Sequence, residues 1–391
     1  MTVVGLTGDE AVAYAVMQSN VDLVAAYPIT PQTIIVERFS KYVADGEVNT
    51  GFVCVESEHS AISASVGASL TGARVFTATA SQGLALMHEI LYCASGLRCP
   101  IVMGVANRAL SAPLNIHGDH SDMMGSRDSG WIQVYVENAQ EAYDWTILAF
   151  KIAENNEVQL PMAVNVDGFI ITHALEGVDV LTDESANQFL KTRRPLFTLN
   201  PEKPITVGAM CLPEYYFEFK MQQVEAMKNV QRILNEVCKE YEGVSGRNYG
   251  VLEAFGMEDA DAAIICLGST AGTAREVARK LRAEGEKVGV IKLWLYRPFP
   301  TKQLNAMLKN IKALAVLDKA ISFGAPHGAL CSDIVSTLHT LERSPKIFNV
   351  IYGLGGRDIQ TSDIELVFSQ ALETAKTGNV KEQTMFLGVR E

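Results

Sequence analysis

Three polar side chains of different chemistry stand just beyond apolar runs that read as buried strands. Thr30 lies in the hexapeptide Tyr27-Pro28-Ile29-Thr30-Pro31-Gln32, after Leu23-Val24-Ala25-Ala26. The two prolines fix φ and bias the residues before them toward extended backbone, so one hydroxyl is held in a stiff corner. That corner is either a ligand site at a strand exit or a plain rigid turn. Glu58 follows Phe52-Val53-Cys54-Val55, two residues after Glu56. A carboxylate facing a dry crevice can hold or pass a proton, whereas a lone glutamate is more often solvated. Arg108 follows Pro100-Ile101-Val102-Met103-Gly104-Val105. Its planar fork suits a carboxylate ligand, or equally a structural pairing with an acid of Gly118-Asp119-His120-Ser121-Asp122.

The elements that must position these groups follow an alternating pattern. Strands are expected at 22–26, 52–55, 74–78, 100–105 and 162–166, with helices at about 34–43, 60–70, 84–93 and 139–154. Strands alternating with helices predict an α/β fold, a mostly parallel, doubly wound sheet with Thr30, Glu58 and Arg108 on one edge. The pattern changes after Phe169. An extended crossing segment and a long amphipathic helix over 214–241 precede a second α/β unit, with strands at 262–266, 288–293, 313–317 and 347–351. The expected division is 1–190, a linker at 191–255, and 256–391.

Composition and missing motifs exclude much. With 48% hydrophobic and 20% charged residues, the 391-residue chain reads as an ordinary globular protein of two or three domains. A net charge of -12 argues against nucleic acid or an anionic membrane as partner. Neither a secretory leader nor a dense apolar span is visible, so a cytoplasmic location is expected. The seven cysteines form no C-x2-C pair and default to reduced core thiols. His117, Asp119, His120 and Asp122 fit a hydrogen-bonded lid better than a metal site. The turn Gly268-Ser269-Thr270-Ala271-Gly272 could receive an anion at a helix amino end, though a plain tight turn is the better reading.

Taken together, the segments resemble the alpha subunits of 2-oxoacid:ferredoxin oxidoreductases, and among them the pyruvate synthase group most closely. The resemblance rests on Gly8-Asp9-Glu10-Ala11, Tyr27 to Gln32, Val55-Glu56-Ser57-Glu58-His59-Ser60-Ala61 and Thr77-Ala78-Thr79-Ala80-Ser81-Gln82-Gly83-Leu84. It continues through Asn107-Arg108-Ala109-Leu110-Ser111-Ala112-Pro113, Gly118 to Asp122, Arg127-Asp128-Ser129-Gly130-Trp131 and Asp167-Gly168-Phe169. Arg297-Pro298-Phe299-Pro300 and Tyr352-Gly353-Leu354-Gly355-Gly356-Arg357-Asp358 carry it to the carboxyl end.

That resemblance implies thiamine-diphosphate-dependent oxidative decarboxylation of a 2-oxoacid with coenzyme A, giving acyl-CoA, CO2 and reduced ferredoxin. It implies a pyrimidine-binding first domain and a second domain like the carboxyl-terminal domain of transketolase. Glu58 is then the catalytic carboxylate on the cofactor's aminopyrimidine ring, Thr30 and Arg108 bind the substrate, and Gln82 lines the cofactor. No G-D-G motif and no cluster-binding cysteines occur, so a beta subunit is expected to supply the diphosphate site, Mg2+ and an Fe–S cluster. Gamma and ferredoxin-like delta subunits, and a dimer of such heteromers, are further expectations. Pyruvate is the expected substrate. The alternatives are phenylglyoxylate or 2-oxoisovalerate, with NAD as a possible final acceptor. A polar His117 beside a small Gly118 would then shape the pocket.

Overall fold

The runs Val75–Thr79, Val102–Asn107 and Met162–Asp167 are buried at every position. A strand apolar on both faces needs helices above and below it, which is the environment of an inner parallel strand. The computed structural model, which describes residues 2–339, 341 and 343–390, places all three at the centre of a seven-stranded sheet.

In chain order the first half contains β1 (Thr2–Thr7), α1 (Gly8–Gln18), β2 (Leu23–Ala26), α2 (Thr33–Ala44), β3 (Gly51–Cys54), α3 (Glu58–Leu70), β4 (Val75–Thr79) and α4 (Ser81–Gly96). It continues with β5 (Val102–Asn107), α5 (Ser121–Gly125), β6 (Ile132–Tyr135), α6 (Ala139–Ala153), β7 (Met162–Asp167), β8 (Leu175–Val180) and α7 (Asp183–Leu190). The long α8 (Pro213–Ser245) leads to β9 (Leu252–Phe255), β10 (Ala262–Leu267), α9 (Thr270–Ala283), β11 (Val288–Leu293), β12 (Leu295–Arg297) and α10 (Thr301–Leu308). Last come β13 (Ala313–Asp318), α11 (Ala329–Leu338), β14 (Lys346–Ile351), α12 (Thr361–Thr377) and β15 (Thr384–Phe386).

The first sheet runs β12-β6-β7-β5-β4-β2-β3 and is parallel except at β12. The second runs β15-β14-β13-β10-β11-β9 and is parallel except at β9. Two doubly wound α/β units are therefore present, as the alternation predicts. Five strands have no counterpart in the sequence reading of the first unit and the links, and each has a physical reason. β6 is four residues long and fully buried, so its run shows no alternation. β1 and β8 pair only with each other, in a two-stranded antiparallel ribbon. β9 and β12 are short edge strands whose pairing is settled by tertiary contact, and β12 crosses from the second half into the first sheet.

Helix α6 buries 13 of its 15 residues, because it lies beneath β7 and β8 with α1 and α8 packed against it. A helix apolar on all sides has to be enclosed in this way. The second half of α8 presents Ala226, Val230, Ile233, Leu234 and Val237 to the first core. Asp144 of α6, fully buried, anchors the end of that helix: Arg247 Nε donates to it at 2.7 Å and Tyr249 Oη at 2.6 Å, and Tyr241 Oη donates as well. Four cysteines are buried as expected, but Cys54 and Cys93 are exposed and Cys211 is half-buried, which corrects the expectation of core thiols throughout. Cys54 ends an edge strand with only one neighbour, so its outer side lacks cover.

Candidate active site at the strand exits

Parallel strands deliver their following residues to one edge. Neighbouring strands β3, β2, β4 and β5 lead to Glu58, Thr30, Gln82 and Arg108 respectively. At about 4.8 Å between strands, these four exits span roughly 14 Å. The sheet thus brings all four expected site residues to one rim.

Glu58 opens α3, whose amino end is capped by Ser57 accepting from the Ser60 N–H at 3.2 Å. A helix amino terminus favours a negative group. The residue is 6% exposed, and its carboxylate makes no hydrogen bond among the described residues. It rests on the first turn of α4. A Cβ on Gly83 would come within 2.6 Å of Glu58 Oε1 and 2.5 Å of Thr79 Oγ1, so only glycine leaves that space. Thr79 Oγ1, next to it at that floor, and Gln82 Nε2 in the first turn of α4 are buried and lack hydrogen-bond partners among the described residues. Buried polar atoms without partners are uncommon and call for a bonding group from outside the chain.

The other end of the rim is already bonded. Arg108 Nη1 donates to the Thr30 carbonyl at 2.9 Å, and Nε donates to the Asn115 carbonyl at 2.9 Å. Burial pulls its pKa down. The alternative of an ion pair with the 118–122 acids takes another form: Asp122 accepts the backbone N–H of Arg108, at 2.9 Å, and leaves the guanidinium to the two carbonyls. Thr30 itself is exposed. Its corner is stapled by Gln32, which accepts from the Ile29 N–H at 3.2 Å and donates to the Ala78 carbonyl of β4 at 3.0 Å. No hydrogen bond joins Glu58 to Arg108; the start of α4 stands between their strands.

The loop from 110 to 122 is a hydrogen-bonded lid. Asp119 accepts from Ser121 and from the Gly355 N–H, and Asn115 Nδ2 donates to the Gly355 carbonyl. His120 Nε2 lies 2.6 Å from Asp167 Oδ1, and Lys319 Nζ lies 3.1 Å from Oδ2. Burial pushes Asp167 up, yet Lys319, His120 and Ser269 together hold it well below the usual carboxylate range. Among the described residues no group of three or more His, Cys, Asp or Glu could hold a metal. Gly118 is small for a reason other than pocket shape: a Cβ there would meet the Gly168 carbonyl oxygen at 2.5 Å. His117 is exposed and packs its ring on Phe169, 4.9 Å between centroids.

A family model described as "Pyruvate flavodoxin/ferredoxin oxidoreductase, thiamine diP-bdg" matches residues 14–239, and one for "Pyruvate:ferredoxin oxidoreductase core domain II" matches 260–364. The chain belongs to the pyruvate:ferredoxin oxidoreductase family. It is 50% identical to pyruvate synthase subunit PorA of Thermotoga maritima, over 99% of this chain and 98% of that one. It is 41% identical to ketoisovalerate oxidoreductase subunit VorA of Pyrococcus abyssi, over 97% and 95%. A solved 2-oxoglutarate:ferredoxin oxidoreductase from Magnetococcus marinus shares the fold, with a TM-score of 0.76 at 21% identity, covering 95% of this chain and 65% of that one.

Family membership makes thiamine diphosphate the relevant ligand, and the donor set fits its ring end. An unpaired carboxylate and a hydroxyl flank a glycine floor, and a neighbouring amide has an open donor, groups that a flat ring bearing nitrogen donors and acceptors can use. Sequence reasoning picked out Glu58 and Gln82 but missed Thr79, Gly83, Gln32 and Asn115. The first two sit in the quoted Thr77 to Leu84 segment, where a threonine ending a strand and a glycine in the next helical turn were the available signal. Asn115 had none, since its role depends on Gly355, 240 residues away.

Proposed function

We propose that this chain is the alpha subunit of a thiamine-diphosphate-dependent pyruvate:ferredoxin oxidoreductase, acting with partner subunits. The observation that carries the proposal is the unpartnered carboxylate of the buried residue Glu58 on its Gly83 floor, sharing a sheet edge with the Thr30–Arg108 pair. Bound thiamine diphosphate would supply the carbon nucleophile and the electron sink that decarboxylation of a 2-oxoacid requires. Glu58 would hold the proton shared with the cofactor's ring nitrogen. Gln82 and Thr79, whose buried polar atoms lack partners, would help hold the ring.

Thr30 donates its hydroxyl to the carbonyl oxygen of the 2-oxoacid. Arg108, kept rigid by the Thr30 and Asn115 carbonyls, turns its remaining N–H groups to the substrate carboxylate and aligns it for loss as CO2. In this reading 1–190 carries the catalytic rim, 191–255 links, and 256–391 closes the rim from the other side. The beta subunit provides the diphosphate site, Mg2+ and an Fe–S cluster. Gamma and delta subunits complete the electron path to ferredoxin, with coenzyme A as acyl acceptor, in a cytoplasmic dimer of heteromers.

The likeness to VorA favours a second reading, in which a branched 2-oxoacid is the substrate. One experiment separates the two: purify the complex and assay pyruvate and 2-oxoisovalerate with coenzyme A and a viologen dye. Pyruvate should give the higher kcat/KM. A clear preference for 2-oxoisovalerate would establish the second reading, and no oxidation of either would remove both.

A further inference from the structure

We infer that Asp122 is a positioning residue that locks the substrate-side strand exit to the cofactor-side one; this rests on the roles just proposed for Arg108 and Gly83. Asp122 is buried, and its carboxylate bonds the backbone of Arg108 rather than the guanidinium. Its Oδ2 accepts the Ser81 N–H at 3.0 Å and the Arg108 N–H at 2.9 Å. Its Oδ1 accepts Asn107 Nδ2 at 2.9 Å and the Met123 N–H at 2.7 Å. One carboxylate oxygen therefore ties the first residue of α4 to the first residue beyond β5.

Two further observations show that this tie replaces local chemistry. The residue before α4 is Ala80, whose side chain cannot accept a hydrogen bond, and α4 has no side-chain cap of its own. Helix amino ends need an acceptor, normally supplied by the N-cap residue. Here it comes from a separate loop that also governs Arg108. Ser81 moreover adopts φ 48, in the left-handed region that non-glycine residues avoid, so something outside the turn has to hold it there. Ser81 Oγ donates to the Ala109 carbonyl at 2.6 Å and doubles the connection between the two exits. All four donors facing Asp122 are N–H groups, a set that a carboxylate satisfies and a carboxamide cannot. Burial raises the Asp122 pKa to about 6 against those four bonds, which agrees with a group retained for geometry.

The test uses the whole complex, with Asp122→Asn and Asp122→Ala measured in the parent and in the Arg108→Ala background. In the parent, kcat for the 2-oxoacid should fall about 10- to 100-fold, the scale of a misplaced reacting group, with KM moving less. With Arg108 already absent only the α4 end of the tie is left to misplace, so the same substitutions should cost clearly less kcat than in the parent. An equal loss in both backgrounds, or no loss in the parent, would overturn the inference. If the variants fail to assemble, residue-level amide exchange on the native complex decides: Ser81 and Arg108 amides should be strongly protected, and fast exchange at both would overturn the clamp. Should the complex oxidise no 2-oxoacid at all while these amides stay protected, the clamp stands and the proposed activity falls.

Discussion

The two parallel sheets present the same kind of edge and use it in opposite ways. At the exits of β3 and β4, Thr79 Oγ1 and Gln82 Nε2 are buried, and neither they nor the Glu58 carboxylate has a hydrogen-bond partner among the described residues. At the exits of β10, β13 and β14, polar groups bond the first unit instead. Ser269 donates its N–H, at 3.0 Å, and its hydroxyl to Asp167. Lys319 pairs with the same carboxylate and accepts the His120 N–H at 2.8 Å, and Gly355 bonds both Asp119 and Asn115. The Gly268 turn does receive an anion at a helix amino end, but the anion is Asp167, with a Gly268 Cβ position only 2.9 Å from its Oδ2. A strand-exit edge becomes a ligand site when its polar groups are left unmatched. When another part of the chain matches them, it becomes an interface.

The comparison breaks first at Glu58. Glu58→Gln keeps the size and loses the charge, and should lower kcat for 2-oxoacid oxidation by about 10²- to 10⁴-fold in an intact complex. Turnover unchanged by that substitution would mean the unmatched edge is not catalytic. Arg108→Ala should come next, with kcat/KM for every 2-oxoacid reduced about 10- to 100-fold, the value of a charge-assisted hydrogen bond or two. If only the yield of assembled complex changed, Arg108 would belong to the interface class instead.

How far the sequence could show this division follows from the range of each interaction. The exits carrying Thr30, Glu58 and Arg108 were legible because a strand, a corner and a helix occupy some fifteen consecutive residues of recognisable pattern. Gln82 was reached only through the resemblance to a family. Asp122 looked like one acid among several in a polar loop, because its four donors come from three separate places in the chain. The anion received by Gly268–Ser269 was invisible for the same reason: Asp167 lies 102 residues upstream. β12 reads as part of the second half, yet it completes the first sheet.

On the interface side, Asp167→Asn removes the charge that balances Lys319 while leaving Lys319 only 4% exposed. Stranding a buried partner of an ion pair costs about 3–5 kcal/mol, so the melting midpoint of the complex should drop by several degrees. Ser269→Ala removes a single hydroxyl from the cluster and should cost about 1–2 kcal/mol, with kcat per assembled complex within twofold of the parent. A drop in kcat without a drop in melting midpoint would assign the second edge a part in the chemistry and blur the contrast between the two units.

The smallest expected effect concerns Asp318, which ends β13 and accepts the Leu330 and Cys331 N–H groups of α11, at 2.8 and 3.1 Å, together with Asn349 Nδ2 at 2.8 Å. Burial raises its pKa to about 6, whereas Asp167, one strand exit away across the interface, is held well below the ordinary value. The two carboxylates therefore act on stability in different pH windows. Asp167 contributes stability that is present above the unfolded carboxylate pKa of about 3.9 and is lost as pH falls below it. Asp318 is still protonated in the folded chain between about pH 4 and 6, after the unfolded chain has released its proton, so its contribution declines as pH rises through that window. Asp318→Asn has no proton to lose. Relative to the parent, its melting midpoint should therefore rise by a few degrees between pH 4.5 and 6.5, and parallel curves would show that the carboxylate is ionised throughout, matched by its three donors as fully as Asp167 is by its own.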